Sequence, residues 1–125
     1  MASPIVHFEI GCRNAEKNKA FYGQLFGWQF ESYGPSQMIT NVGARPDGSG
    51  GPGIGGHLNQ LGHEPHNYVT VYVQVDDLKA SLDKAAKLGG KTIVPPQDVP
   101  GMGSFAWLQD PEGNCIGLWK PMAHG

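Results

Sequence analysis

Two titratable side chains stand in the first strand-like stretch of the chain, His7 and Glu9 in "PIVHFEI", residues 4–10. Val6, Phe8 and Ile10 alternate with them. A half-buried strand would therefore turn the histidine and the carboxylate to one face and the three apolar residues to the other. A later stretch, "VTVYVQV" at 69–75, has the same pattern: Val69, Val71, Val73 and Val75 on one face, Thr70, Tyr72 and Gln74 on the other. An imidazole and a carboxylate on one strand face can anchor a polar ligand, move its protons or share an ion. Glu9 is the single candidate general base on these faces. Burial away from a cation would raise its pKa, and a protonated His7 beside it would lower it.

The elements that must position these residues come in two copies. At an offset of 63 residues Asn14 falls on Asp77, Leu25 on Leu88, Gly27 on Gly90, and Val6, Phe8 and Ile10 on Val69, Val71 and Val73. The match is one of pattern more than identity, since Ala20 falls on Asp83 and Phe21 on Lys84. In each copy a strand (4–10, then 68–75) leads into a helix. Asn14 caps the first helix, Phe21, Tyr22 and Leu25 supply its buried side, and Gly27 ends it. Asp77 caps the second, Leu78, Leu82, Ala85 and Ala86 form its stripe, and Gly89 and Gly90 stop it.

Shorter strands follow: "WQFES", "MITNV" and one starting near Ile54, then "TIVPP", "SFAWLQ" and "CIGLW". "DPEGN", 110–114, is a turn between the last two, with Pro111 presetting φ. The order is βαβββ, twice. The fold class predicted is α+β: one domain of two tandem modules, 4–58 and 68–121, joined by a connector over 59–67. Its curved sheets surround a cleft, with the helices on the outer face. His7, Glu9, Thr70 and Tyr72 would meet in that cleft.

The 125 residues suit one domain, and 19 glycines with 10 prolines favour short strands and tight turns over a helical bundle. With a net charge of −2 and no Lys/Arg run, nucleic acid is excluded as a partner. No apolar run approaches the ~20 residues that span a membrane. "MASPIVHFEI" has no charged start or apolar core of a signal peptide, so a cytoplasmic location is expected. Cys12 and Cys115 then read as free thiols, without zinc or redox spacing.

Other candidates divide into alternatives. His57, His63 and His66 in "GHLNQLGHEPHN" suit a polar connector better than a metal-binding loop. "GSGGPGIGG", within the glycine-rich loop 43–53, lacks the Walker lysine and a following helix, so a hairpin tip or lid suits it better than a phosphate cradle. Tyr72, Trp107 and Trp119 could line a ligand pocket; Phe105 and Trp107 share one side of their strand, and either side fits the pattern. Trp28 suits the core or a dimer interface.

"HFEI…NAEKNKAFYGQLFGWQF", "VYVQVDDLKASLDKAAKLGG" and "FAWLQDPEGNCIGLW" together resemble the glyoxalase / bleomycin-resistance / extradiol-dioxygenase (vicinal oxygen chelate) superfamily. The resemblance spans nearly the whole chain. It implies paired βαβββ modules around a cleft, commonly in a homodimer, and a divalent metal held by residues on the first and last strand of each module. His7 matches the first of those positions, and the same spacing before Asp77 gives Thr70. The last-strand position that carries a glutamate in the family is Gly117, and its counterpart in copy one is Gly55 or Gly56. With one ligand of four, no metal is expected; a divalent ion, if bound, would take His7, Glu9 and His57. The preferred expectation is a protein that binds a small aromatic or oxygen-rich molecule through His7, Glu9, His57, Thr70, Tyr72 and Trp107. Antibiotic sequestration, as in the bleomycin-resistance branch, is one form of it. The alternative is a metal-dependent lyase, isomerase or dioxygenase of the glyoxalase type using His7.

Overall fold

A computed structural model describes residues 2–43, 53–62 and 67–122. The elements run β1 (Ile5–Cys12), α1 (Ala15–Phe26), β2 (Phe30–Tyr33), β3 (Ser36–Ile39), β4 (Gly55–Gln60), β5 (Tyr68–Gln74), α2 (Leu78–Lys87), β6 (Lys91–Val99), β7 (Gly103–Gln109) and β8 (Cys115–Pro121). This is an α+β chain with the βαβββ order repeated, as the sequence predicts. Two compact units divide it: residues 7–69, and residues 70–125 together with 1–6. No helix among the described residues is long and apolar enough to cross a membrane. The glycine-rich stretch, apart from its two ends, lies outside the described residues, as do His63 and His66.

In the 7–69 unit the strands are ordered β2-β3-β4-β1. β1 and β4 are parallel, while β3 is antiparallel to both its neighbours. The Asn14 side chain caps α1 by accepting from the Lys17 amide at 3.0 Å, and Gly27 ends it at φ 72, a value glycine adopts without steric cost. Ile10, Cys12, Ala15, Tyr22, Phe30 and Leu58 form the core between α1 and the sheet. Alternation then leaves His7, Glu9 and Gly11 of β1, with Gly55, His57 and Asn59 of β4, on the opposite face.

The helix departs from its sequence reading. Tyr22 packs on the core, but Phe21 and Leu25 are 57% and 58% exposed. At 100° per residue they lie about 120° and about 80° round the helix from buried Ala15, both on one side and turned off the sheet. Phe26 is also exposed, although its ring lies 6.0 Å from Tyr22 and 5.2 Å from Trp28. Asn59 and Gln60, read as connector, complete β4 instead, because Asn59 pairs with both Gly11 and Ser36. β3 starts two residues before "MITNV" and stops at Ile39.

The other unit orders its strands β5-β8-β7-β6, with β5 and β8 parallel. Asp77 accepts from the Ala80 amide at 2.9 Å and caps α2, while Lys84 and Lys87 suit the negative end of its dipole. Leu78 and Leu82 of α2 meet Ala106 and Leu118, flanked by Val73, Val75 and Leu108. Ala85 is half-buried and Ala86 exposed. Val69, on the strand face of Val73 and Val75, is 72% exposed because it precedes the stretch of β5 that pairs with β8. Pro95 and Pro96, which lack an N–H, fall where the β6–β7 register slips between Val94 and Gln97. In the 110–114 turn the Asp110 Oδ1 accepts from the amides of Glu112 and Asn114, each at 2.9 Å.

Candidate functional site

In the 7–69 unit the polar face of β1 and β4 gathers the chemistry. The register pairs His7 with Gly55 and Glu9 with His57. Gly55 adds no side chain beside His7, so the His57 ring reaches back to it. His7 Nε2 lies 2.7 Å from His57 Nδ1, with ring centroids 4.9 Å apart. The other edge of His57 faces the carboxylate, Nε2 to Glu9 Oε1 at 3.2 Å. The Tyr68 hydroxyl donates to Glu9 Oε2, and Asn59 Nδ2 donates to the Tyr68 oxygen at 3.1 Å. The result is a chain of hydrogen bonds from His7 through His57 to Glu9, closed by Tyr68 and Asn59.

Proton positions follow from donors and acceptors. Where Glu9 is a carboxylate, which only accepts, the contact at 3.2 Å requires His57 to donate from Nε2. In a neutral ring Nδ1 is then an acceptor, and His7 Nε2 donates to it. Burial, then the neighbouring His57, push the His7 pKa down to about 4 against an opposing pull from Glu9, so His7 is an uncharged imidazole at neutral pH. Glu9 is buried at 5% exposure, where a carboxylate needs such donors.

Sequence reasoning singled out His7, Glu9 and His57, and the structure brings them together. It missed Tyr68 and Asn59. Both carried a signal. Tyr68 opens the period-two series Tyr68, Thr70, Tyr72, and Asn59 is two residues past His57 on the same strand face. Gly11 carried none: it lies under the Tyr68 ring, and a Cβ there would overlap it.

Thr70, Tyr72 and Trp107 lie in the other unit. Thr70 is buried, and its hydroxyl donates to the Cys115 carbonyl at 3.0 Å. Tyr72 is 6% exposed, and its hydroxyl receives Trp107 Nε1 at 2.9 Å. Trp107 pairs with Gly117 on the strand face opposite α2, which answers the side-of-strand question; Phe105 shares that face and meets Tyr72 edge-on at 6.4 Å. The Tyr72 ring lies across Gly117, so that a Cβ on residue 117 would come within 2.5 Å of it.

Fold and site together define a chain of duplicated βαβββ modules with hydrogen-bonded polar and aromatic residues on the sheet faces opposite the helices. The profile of the Glyoxalase/Bleomycin resistance protein/Dioxygenase superfamily matches residues 4–118, and the chain belongs to that family. Among curated relatives, "Putative glyoxylase CFP32" of Mycobacterium tuberculosis is 38% identical over 102 residues, covering 82% of this chain and 38% of its own length. "Anthracycline biosynthesis protein DnrV" of Streptomyces peucetius is 26% identical over 130 residues, covering 90% of this chain and 45% of its own. The chain thus spans less than half the length of these relatives. Among solved structures, the Mn(II)-bound glyoxalase from Novosphingobium aromaticivorans superposes with a TM-score of 0.65 at 17% identity, covering 99% of this chain and 42% of that one. A Streptomyces coelicolor methylmalonyl-CoA epimerase gives 0.63 at 15%, covering 95% and 97%. At such identities the likeness is one of fold.

The family's divalent ion can be tested against the donors present. His57 turns one ring nitrogen to His7 and the other to Glu9. The two nitrogens lie on different edges of the ring and cannot both bind one ion, so three donors do not converge on a point. Catalytic sites commonly require three protein ligands. Among the described residues no group of three His, Cys, Asp or Glu side chains is placed to hold a metal ion. The donor set does not fit that group.

Proposed function

We propose that this glyoxalase-family chain binds a small aromatic or oxygen-rich molecule through direct side-chain contacts, without the full metal site of its family. The polar anchors in the 7–69 unit are His7, His57 and Glu9; Thr70, Tyr72 and Trp107 are the candidate ligand groups of the other unit. The observation that carries this reading is at Gly117. The strand position where the family has a glutamate offers no donor, and the Tyr72 ring, held by Trp107, fills the space a side chain would need. Aromatic groups with one polar handle suit small-molecule recognition, burying a large flat area while fixing orientation. That the DnrV relative is an anthracycline biosynthesis protein supports an aromatic, oxygen-rich ligand class. A homodimer in the cytoplasm belongs to the same proposal, and sedimentation of the purified protein tests the first of these.

Metal analysis and thermal shift test the reading together. Purified protein is expected to retain less than stoichiometric Mn, Fe, Ni or Zn, and to gain no thermal stability from added ions, while hydroxylated aromatics and diketones raise its Tm. Stoichiometric metal that disappears in His7→Ala would replace this reading with that of a metal-dependent lyase, isomerase or dioxygenase.

A further inference from the structure

We propose that the unit of residues 70–125 and 1–6 carries a second small-molecule site, on the sheet face that holds α2, and that this site takes a free α-amino acid with an apolar side chain. Asp98, Ser104 and Lys120 stand in one row across β6, β7 and β8, since Asp98 pairs with Ser104 and Ser104 with Lys120. Ala106 and Leu118, two residues along β7 and β8 from that row, pack on Leu78 and Leu82. Period two therefore puts the row on the α2 face. A cavity of about 510 Å³ opens at the row, and no residue of α2 lines it. That volume falls within the range of small-molecule sites, about 300–1,000 Å³. Val99, Pro100, Pro121 and Met122 form the rest of its wall with three glycine or polar neighbours of the row.

Backbone bonds fix the end of the cavity. The Met102 amide donates to the Val99 carbonyl at 3.0 Å, closing the turn between β6 and β7, and the Met122 amide donates to the Met102 carbonyl at 2.8 Å. Gly103 lets β8 lie close, because a Cβ there would overlap the Lys120 carbonyl. The polar groups on this frame suit a ligand with both charges. Ser104 Oγ donates its proton to Asp98 Oδ1 at 2.7 Å, so the Ser104 oxygen is left to accept. Asp98 and Lys120 do not pair with each other, and Lys120 has no carboxylate partner among the described residues. A ligand ammonium between Asp98 Oδ2 and Ser104 Oγ, with a ligand carboxylate on Lys120 Nζ, would satisfy all three side chains by charge-assisted hydrogen bonds. Two strand spacings of about 4.8 Å separate the Asp98 and Lys120 backbones. Both side chains line one cavity across that short span, which suits charges one carbon apart better than the distant ends of a peptide. The valine, prolines and methionine then offer the ligand's side chain an apolar wall, favouring an aliphatic amino acid over a charged one. None of these residues belongs to the ligand groups named above, so either reading can fail without the other.

The test follows the intact wild-type protein by 15N–1H correlation during titration with L-leucine, with saturation transfer as a second measure of binding. Saturable shifts are expected at the amides of Asp98, Ser104 and Lys120. L-leucinamide lacks the carboxylate and isocaproate lacks the ammonium; each is expected to bind about 10-fold or more weakly than L-leucine, the usual scale for losing a hydrogen bond to a charged group. Lys120→Ala should weaken L-leucine by about the same factor and leave L-leucinamide unchanged. Asp98→Asn should weaken L-leucine and leave isocaproate unchanged. L-leucine that moves none of these amides at millimolar concentration overturns the site. L-leucinamide or isocaproate binding as tightly as L-leucine overturns recognition of a zwitterion, and so does an unchanged L-leucine affinity in both variants. Hydroxylated aromatics should raise the Tm of Lys120→Ala as they do that of wild type, which keeps the two sites distinguishable.

Discussion

Two glycines and two tyrosines show how single residues set these surfaces. Tyr68 reaches Glu9 because Gly11 leaves room for its ring, and Tyr72 lies flat because residue 117 has no Cβ. Tyr68→Phe keeps the ring and removes the phenol, so Glu9, at 5% exposure, loses a donor. We predict a loss of about 1–3 kcal/mol in urea unfolding, the usual consequence of leaving a buried acceptor short of a partner. An unchanged midpoint would mean that the Tyr68 hydroxyl does not support the carboxylate. Gly117→Ala places a methyl 2.5 Å from the Tyr72 ring. The predicted cost is about 1–3 kcal/mol by overpacking, and Tyr72→Ala in the same chain should recover part of it. If the double variant shows no coupling, the two residues do not share that space.

At the scale of elements, the helix ends and the tight turn were open to sequence reasoning because each rests on a local interaction. Asn14 and Asp77 bond the amides of Lys17 and Ala80 within one turn of chain, and Asp110 bonds Glu112 and Asn114. Replacing Asp77 with Ala should lower stability by about 1 kcal/mol, read as a drop in Tm with the circular dichroism spectrum retained. A Tm equal to wild type would show that the α2 cap contributes nothing. The strand faces were equally legible, since period two separates His7 and Glu9 from Phe8 and Ile10. Pairing register was not. That Glu9 lies opposite His57, and that Asn59 continues β4, depends on which strands come together over some fifty residues. The exposure of Phe21 and Leu25 had no local sign either, because it depends on how the sheet lies beneath α1. For the site the same division holds: His7 and Glu9 were visible in the pattern, while the linear order His7–His57–Glu9 is a product of that register.

For the whole molecule, two titratable groups should divide acid unfolding into two windows. His7 has a folded-state pKa of about 4 against an ordinary value of 6.5. The unfolded chain therefore binds a proton more readily than the folded one, and stability falls as pH drops from 6.5 toward 4, then levels off. Asp110 works at lower pH. Hydrogen bonds from Asn114, side chain first and then backbone, hold its pKa below the ordinary 3.8. Its contribution is present above that value and is lost as pH falls through the depressed folded pKa. Urea midpoints measured from pH 7 to pH 2.5 should show both declines. In His7→Gln the decline between 6.5 and 4 should flatten while the lower one stays; in Asp110→Asn the reverse is expected. A wild-type profile that is level between pH 6.5 and 4 would mean that His7 titrates alike in folded and unfolded chains. It would also contradict the uncharged, hydrogen-bonded imidazole on which the His57–Glu9 arrangement depends.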